Sequence, residues 1–273
     1  RMLSPDTPVT QINGVGPQLA EKLARLDIHH LADLLWHLPL RYRDLTRITP
    51  IGALDLHSEA LVEGVIRGCD VVFGKRRSLL CLIQDGTGTL ALRFYHFSKA
   101  QQLQFASGKR IRAWGEARRG SSGFEIYHPE YRLLDTGNVL PLAEQLTPVY
   151  PATEGLQQPR LRKIIEYVLQ QVSPEALPDW IPSALLPQTL HIDLHSALSY
   201  LHQPPTNAPV AQLHEGQHPA QQRLAFEELV AHHLSLLRVR ENTRRDDAHA
   251  LPMADIIQQQ FINALPFTLT GAQ

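Results

Sequence analysis

Residues 90–100 read LALRFYHFSKA. Leu90, Leu92 and Phe94 alternate with Ala91 and Arg93, the period-two pattern of a half-buried strand, and the pattern breaks at Tyr95. Three aromatics then stand with a histidine, an arginine and a lysine where the strand gives out, in a chain that is only 7% aromatic. Alternation sends Phe94 to the core with Leu90 and Leu92 and points Tyr95 the other way. Phe97 lies past the strand, where parity assigns no face. Exposed aromatics stack on nucleobases for about 1–3 kcal/mol each, and neighbouring cations hold the backbone. Tyr95 and Phe97 are therefore candidates for base stacking, and Arg93 and Lys99 for phosphate contact. The plainer reading is that both phenylalanines are core.

Working outward, 60–72 (ALVEGVIRGCDVV) and 77–84 (RSLLCLIQ) read as strands, and DGTGT at 85–89 as a hairpin turn. LALRFYHF is the third strand and SKAQQLQFA (98–106) a short helix. KRIRAWGEARR (109–119) is a fourth strand, RGSSG a turn, and FEIYHPEYRLL (124–134) a fifth. Three strands, a helix and two strands is the element order of an OB-fold, a small Greek-key barrel that often binds single strands.

On either side the chain reads as helical, so the expected class is α+β. Residues 1–54 form a helical region, with Gly14-Val15-Gly16 as a tight turn between short helices and Pro17 at a first helical position. Residues 55–147 are the barrel. Residues 148–219 hold eleven of the twenty prolines and should be short helices and extended crossings, with LRKIIEYVLQQV the clearest helix. Residues 220–260 follow as a long helix carrying Leu224, Leu229, Leu234 and Leu237. The Gly14–Gly16 turn has the look of a helix–hairpin–helix. Such a turn either aims N–H groups at a phosphate or only packs two helices.

Charge locates the partner. The net charge is −1, yet residues 60–120 hold eleven Lys/Arg against four Asp/Glu. A basic segment in a near-neutral chain points to a polyanion on one domain. Lys75, Arg76 and Arg77, with Lys109, Arg110, Arg118 and Arg119, sit at strand ends and turns and are candidate phosphate contacts. The alternative for each is a solvated rim.

Other classes are set aside. No run of about 18 apolar residues exists and the N-terminus has no apolar signal region, so no membrane span is expected and a cytoplasmic location is. Two cysteines make no disulfide framework. Fourteen histidines raise the alternative of a metal hydrolase, but His191/His195 and His214/His218 lack the H-E-x-x-H arrangement, and Pro219 disfavours a helix at His218. No Walker A loop is present, so this chain alone should have neither ATPase activity nor a cofactor.

Six stretches together resemble the N-terminal part of the RecG family of bacterial DNA helicases. They are INGVGPQLAEKLARLDIHHLADLLWHLPLRYRD (12–44), IQDGTGTLALRFYHF (83–97), HPEYR (128–132), LTPVYPATEGL (146–156), GQHPAQQRLAFEELVAHHLSLL (216–237) and ALPFTLTGAQ (264–273). The resemblance implies a wedge domain of an ATP- and Mg-dependent superfamily 2 helicase that remodels stalled forks and Holliday junctions. It places Tyr95, with Phe97 or Lys99, at a wedge tip that stacks on bases. It implies branched DNA as partner, a contact with single-strand-binding protein, a monomer, and a nucleoid-associated location. PFTLTGAQ resembles the Q-motif opening such a motor, with Gln273 reading adenine and Phe267 stacking on it, so residues 261–273 would begin a motor cut short. The alternative is a stand-alone OB-fold module for single strands or for a protein.

Overall fold

The computed structural model describes residues 3–137, 139–245 and 255–272. A 3-10 turn at Val9–Gln11 leads to α1 (Pro17–Ala24) and α2 (Leu31–Trp36). Gly14 takes φ +88°, a left-handed conformation that glycine adopts without steric cost, and Pro17 opens α1 behind an extended Gly16. The Asp33 carboxylate accepts the His29 and His30 backbone N–H groups at 2.9 and 2.8 Å and so caps α2. A short strand β1 (Arg41–Arg43) follows.

Next comes the barrel: β2 (Glu59–Val72), β3 (Ser78–Gln84), β4 (Thr89–Phe94), α3 (Lys99–Gln104), β5 (Arg110–Gly120), β6 (Gly123–Tyr127) and β7 (Glu130–Leu134). Pairing runs β2-β3-β4-β6-β5 and returns from β5 to β2, with β4–β6 the one parallel pair of the six-stranded sheet. That is the expected OB order. β2 can serve two partners because it is long: Glu59–Val65 pairs with β5 and Val65–Val72 with β3, with a register shift between Ile66 and Gly68. Gly115 on β5 is required by close packing, since a Cβ there would lie 2.3 Å from the Ile126 side chain. Inward residues Val62, Ile66, Leu79, Ile83, Leu92, Phe94, Ile111 and Ile126 fill the interior.

Two expectations need correction. The third strand ends at Phe94, so Tyr95 and His96 belong to the connection. The expected fifth strand is two strands, divided where His128 adopts φ +47° ahead of Pro129. β6 continues the barrel, while β7 folds back along Arg110–Trp114 of β5. Proline's missing donor and fixed φ end the first ladder there.

Beyond the barrel lie β8 (Thr147–Val149), α4 (Gln158–Gln171), α5 (Leu194–His202), α6 (Val210–His214), α7 (Pro219–Arg244) and α8 (Asp255–Ala264). β8 pairs antiparallel with β1 across more than a hundred residues, so the N-terminal helices and the proline-rich region close over one core. Leu23, Leu31 and Leu34 meet Tyr150, Leu161, Ile165, Leu198 and Leu224 there. A polar chain runs through this core. Tyr150 OH donates to His202 Nδ1 at 2.8 Å, and His202 Nε2–H donates to the Leu35 carbonyl at 2.7 Å. Burial pushes the His202 pKa down to about 4. Residues 1–225 form one compact unit holding both the helical body and the barrel, and residues 226–273 form another. No helix among the described residues is long and apolar enough to cross a membrane.

Candidate nucleic-acid interface

Strand register brings three separate segments to one end of the barrel. Val72 pairs with Ser78, Leu79 with Phe94, and Arg93 with Tyr127. Hence the 73–77 turn, the 95–98 connection and the Tyr127–His128 corner are neighbours. The Tyr95 ring lies 5.9 Å from Tyr127 and 5.8 Å from His128, and its backbone N–H donates to His128 Nε2 at 3.3 Å. His96 stacks on His128 at 5.8 Å. The Arg118 guanidinium lies 5.6 Å from the Tyr127 ring, and that of Arg77 lies 4.9 Å from Phe97. The cluster therefore alternates π-faces with cations. Tyr127 and His128 escaped the sequence reading. Their only local mark is an aromatic–histidine pair ahead of a proline at a strand's end.

The cations divide by what they touch. Lys75, Arg76, Lys99, Lys109 and Arg119 are exposed, and none has an ion-pair partner among the described residues. Lys99 opens α3, whose first turn is capped by the Ser98 hydroxyl accepting Gln101 N–H at 3.1 Å. Arg118 bridges Glu116 at 3.3 Å. That exposed carboxyl is held below its ordinary pKa, first by its hydrogen bond to His57. Arg110 and Arg112 share Glu63. Arg110 pairs with Val65, seven residues along β2 from Val72. At about 3.3 Å per residue that is some 20 Å from the turn, so Lys109 and Arg110 do not join the aromatic end.

Arg93 is engaged inside the barrel. Its Nε and Nη2 donate to the two Glu125 oxygens at 2.8 and 2.9 Å, and its Nη1 donates to the Ser78 hydroxyl at 2.7 Å. Glu125 and Ser78 are buried, and the Glu125 hydrogen bonds raise the Arg93 pKa. A guanidinium forked onto a buried carboxylate is spoken for. It fastens β3, β4 and β6 together, and three of its five N–H donors are already taken by Glu125 and Ser78.

The remaining candidates have separate settings. Phe97 is partly buried against the barrel core, with Arg77 over its ring. The Gly14 carbonyl accepts from Arg160 at 2.7 Å and Lys22 donates to the Gly155 carbonyl at 3.1 Å, which ties the glycine turn to the α4 end of the helical body. Gly16 caps α1, its carbonyl accepting the Leu19 and Ala20 N–H groups. Phe267, in the second unit, is exposed, and Gln273 lies outside the described residues. His191 precedes α5 and bonds the Leu186 carbonyl, while His218 stacks on Tyr200 at 4.4 Å, so neither histidine pair shares a helix face. Among the described residues, no group of three or more His, Cys, Asp or Glu is placed to hold a metal.

Comparison with known proteins identifies the family of the chain as a whole. A family model described as the RecG wedge domain matches residues 8–172. The ATP-dependent DNA helicase RecG of Escherichia coli K12 is 44% identical over 266 residues, which is 97% of this chain and 38% of that protein. Its counterpart in Pasteurella multocida is 41% identical over the same shares. The chain thus spans about two-fifths of the length of the curated relatives it matches. A solved structure of RecG bound to a three-way DNA junction superposes over 100% of this chain and 36% of that one, with a TM-score of 0.60 and 25% identity.

Proposed function

The chain belongs to the RecG wedge-domain family, and from that premise we propose that it is the branch-recognising, strand-separating part of an ATP-driven superfamily 2 DNA helicase acting on stalled forks and Holliday junctions. One observation carries the reading: the register that gathers Tyr95, Tyr127, His128 and the exposed 73–77 cations at one barrel end. A branch point already has its end bases partly unstacked. A protein ring that supplies replacement stacking, about 1–3 kcal/mol per base, offsets the cost of opening the next pair. Tyr95 supplies that ring, and the barrel stands between the parting strands. Lys75, Arg76, Arg77, Lys99, Arg118 and Arg119 hold phosphates, which gives affinity and salt dependence without sequence choice. With Phe97 packed and covered by Arg77, Lys99 takes the second tip position as a phosphate contact.

ATP and Mg2+ belong to the motor, where the nucleotide supplies the energy for translocation. The exposed Phe267 ring fits stacking on adenine, with Gln273 reading its edge. The sequence holds no Gly-rich phosphate loop, so residues 1–273 by themselves hydrolyse no ATP. The protein acts as a monomer in the cytoplasm on nucleoid DNA, with single-strand-binding protein as a second partner of the barrel.

The test is fluorescence anisotropy with a three-way fork and a matched linear duplex at one stated salt concentration. A fork preference is expected, shrinking about tenfold in Tyr95→Ala with no change in Tm. Equal binding to fork and duplex by the parent chain would refute branch recognition by this region.

A further inference from the structure

The turn between β2 and β3, residues 73–77, reads FGKRR. Phe73 is 80% exposed, more than any other aromatic among the described residues. Nothing lies within 4 Å of where a Gly74 Cβ would be, and Lys75 and Arg76 stand in solvent without ion-pair partners among the described residues. The turn is nonetheless anchored at its root. Ser78, the first residue of β3, is fully buried and accepts from Arg93, which is clamped on Glu125. Arg77 rests on Phe97, which fixes the turn beside the Tyr95 cluster.

We propose that Phe73 is a second base-stacking platform, separate from Tyr95, that takes an unpaired nucleobase whose flanking phosphates lie on Lys75 and Arg76. This rests on the reading of the barrel end as a branch-binding surface. The occupant follows from the company Phe73 keeps. A protein partner would call for a patch of several apolar side chains, whereas the turn offers one aromatic ring, a glycine and three cations. One π-face beside several positive charges matches a nucleotide, a flat ring joined to an anion. The stiff root means that little freedom remains to be lost on binding.

The experiment uses the 273-residue chain and forks carrying 2-aminopurine at single unpaired positions. Parent, Phe73→Ala, Phe73→Trp and Tyr95→Ala are compared by anisotropy and by quenching of the probe. Phe73→Ala should weaken fork binding about tenfold. It should leave the dependence of log K on log salt unchanged, since no charge is removed. It should also relieve quenching at a position that Tyr95→Ala leaves quenched, and Phe73→Trp should restore both. Tm should be the same in all, because the ring is exposed. Parent-like binding and quenching in Phe73→Ala would overturn the proposal. So would relief only at the position that depends on Tyr95, which would make Phe73 a support for that platform. In either case a fork preference that still requires Tyr95 leaves the branch-recognition reading intact.

Discussion

The helical body and the barrel end use the same residue types to opposite ends. In the helical body, Tyr150 and His202 sit in the core, and each polar atom is matched: hydroxyl to imidazole, imidazole to the Leu35 carbonyl. At the barrel end, Tyr95, Tyr127, His96 and His128 touch one another by their rings, and the nearby cations are exposed with few partners. A polar aromatic whose hydrogen bonds are all closed inside the chain rigidifies it. One whose face and neighbouring charges stay open has interaction left to offer. The difference is one of completion, not of composition.

Arg93 breaks any simple division in which the barrel binds and the helices support. It lies in the barrel two residues before Tyr95, yet belongs with the closed kind. Arg93→Met leaves Glu125, 3% exposed, buried without its partner, and removing one member of a buried pair costs about 3–5 kcal/mol. This is the largest effect expected, read as a fall in Tm or in denaturant midpoint. Adding Glu125→Gln should recover part of it, because the orphan charge is gone. A phosphate contact would behave otherwise: stability unchanged and the salt slope of DNA binding reduced.

The closed network should also show itself in acid. Burial keeps His202 neutral down to about pH 4, whereas in the unfolded chain it titrates near the ordinary histidine value of 6.5. Between those values the unfolded chain takes up a proton that the folded chain refuses. Stability is therefore complete above about pH 6.5 and falls as the pH drops towards 4, by at most ~3 kcal/mol from this group. Chemical denaturation at a series of pH values checks this. His202→Gln should be less stable at pH 7, since it disrupts the bonds to Tyr150 and Leu35, and should lose stability less steeply between pH 6.5 and 4. An unchanged slope would mean that other groups carry the acid sensitivity.

These contrasts also explain what was legible in the sequence. The barrel's order could be read because its signals are local: alternation in 78–94, Asp85 and Gly86 at the hairpin, a helix after the third strand. Asp85 accepts the Thr87 and Gly88 N–H groups at 2.8 and 3.2 Å, so that turn is encoded within four residues. The pairing of β1 with β8 was not legible, because three-residue strands joined across the chain carry no periodicity. The clamp on Arg93 was not legible either, because its partner Glu125 is 32 residues away. Tyr127 and His128 were missed for the same reason: only the parallel pairing of β4 with β6 places them beside Tyr95.

The smallest effect tests where the open end lies. Each phosphate contact adds about 0.9 to the slope of log K against log salt on duplex DNA. Replacing Lys75 and Arg76 together with alanine should lower that slope by nearly two units and leave Tm unchanged, since both side chains are exposed and without ion-pair partners among the described residues. Lys109→Ala, some 20 Å along β2 from the turn, should change the slope by well under the ~0.9 of one full contact. The comparison between the two variants carries the meaning, because both remove exposed charge from the same basic barrel. Equal losses per charge would show a diffuse field over the whole barrel, with no privileged end. A loss confined to Lys75 and Arg76 places the phosphates where the rings are, and stacking and charge then act on the same stretch of nucleic acid.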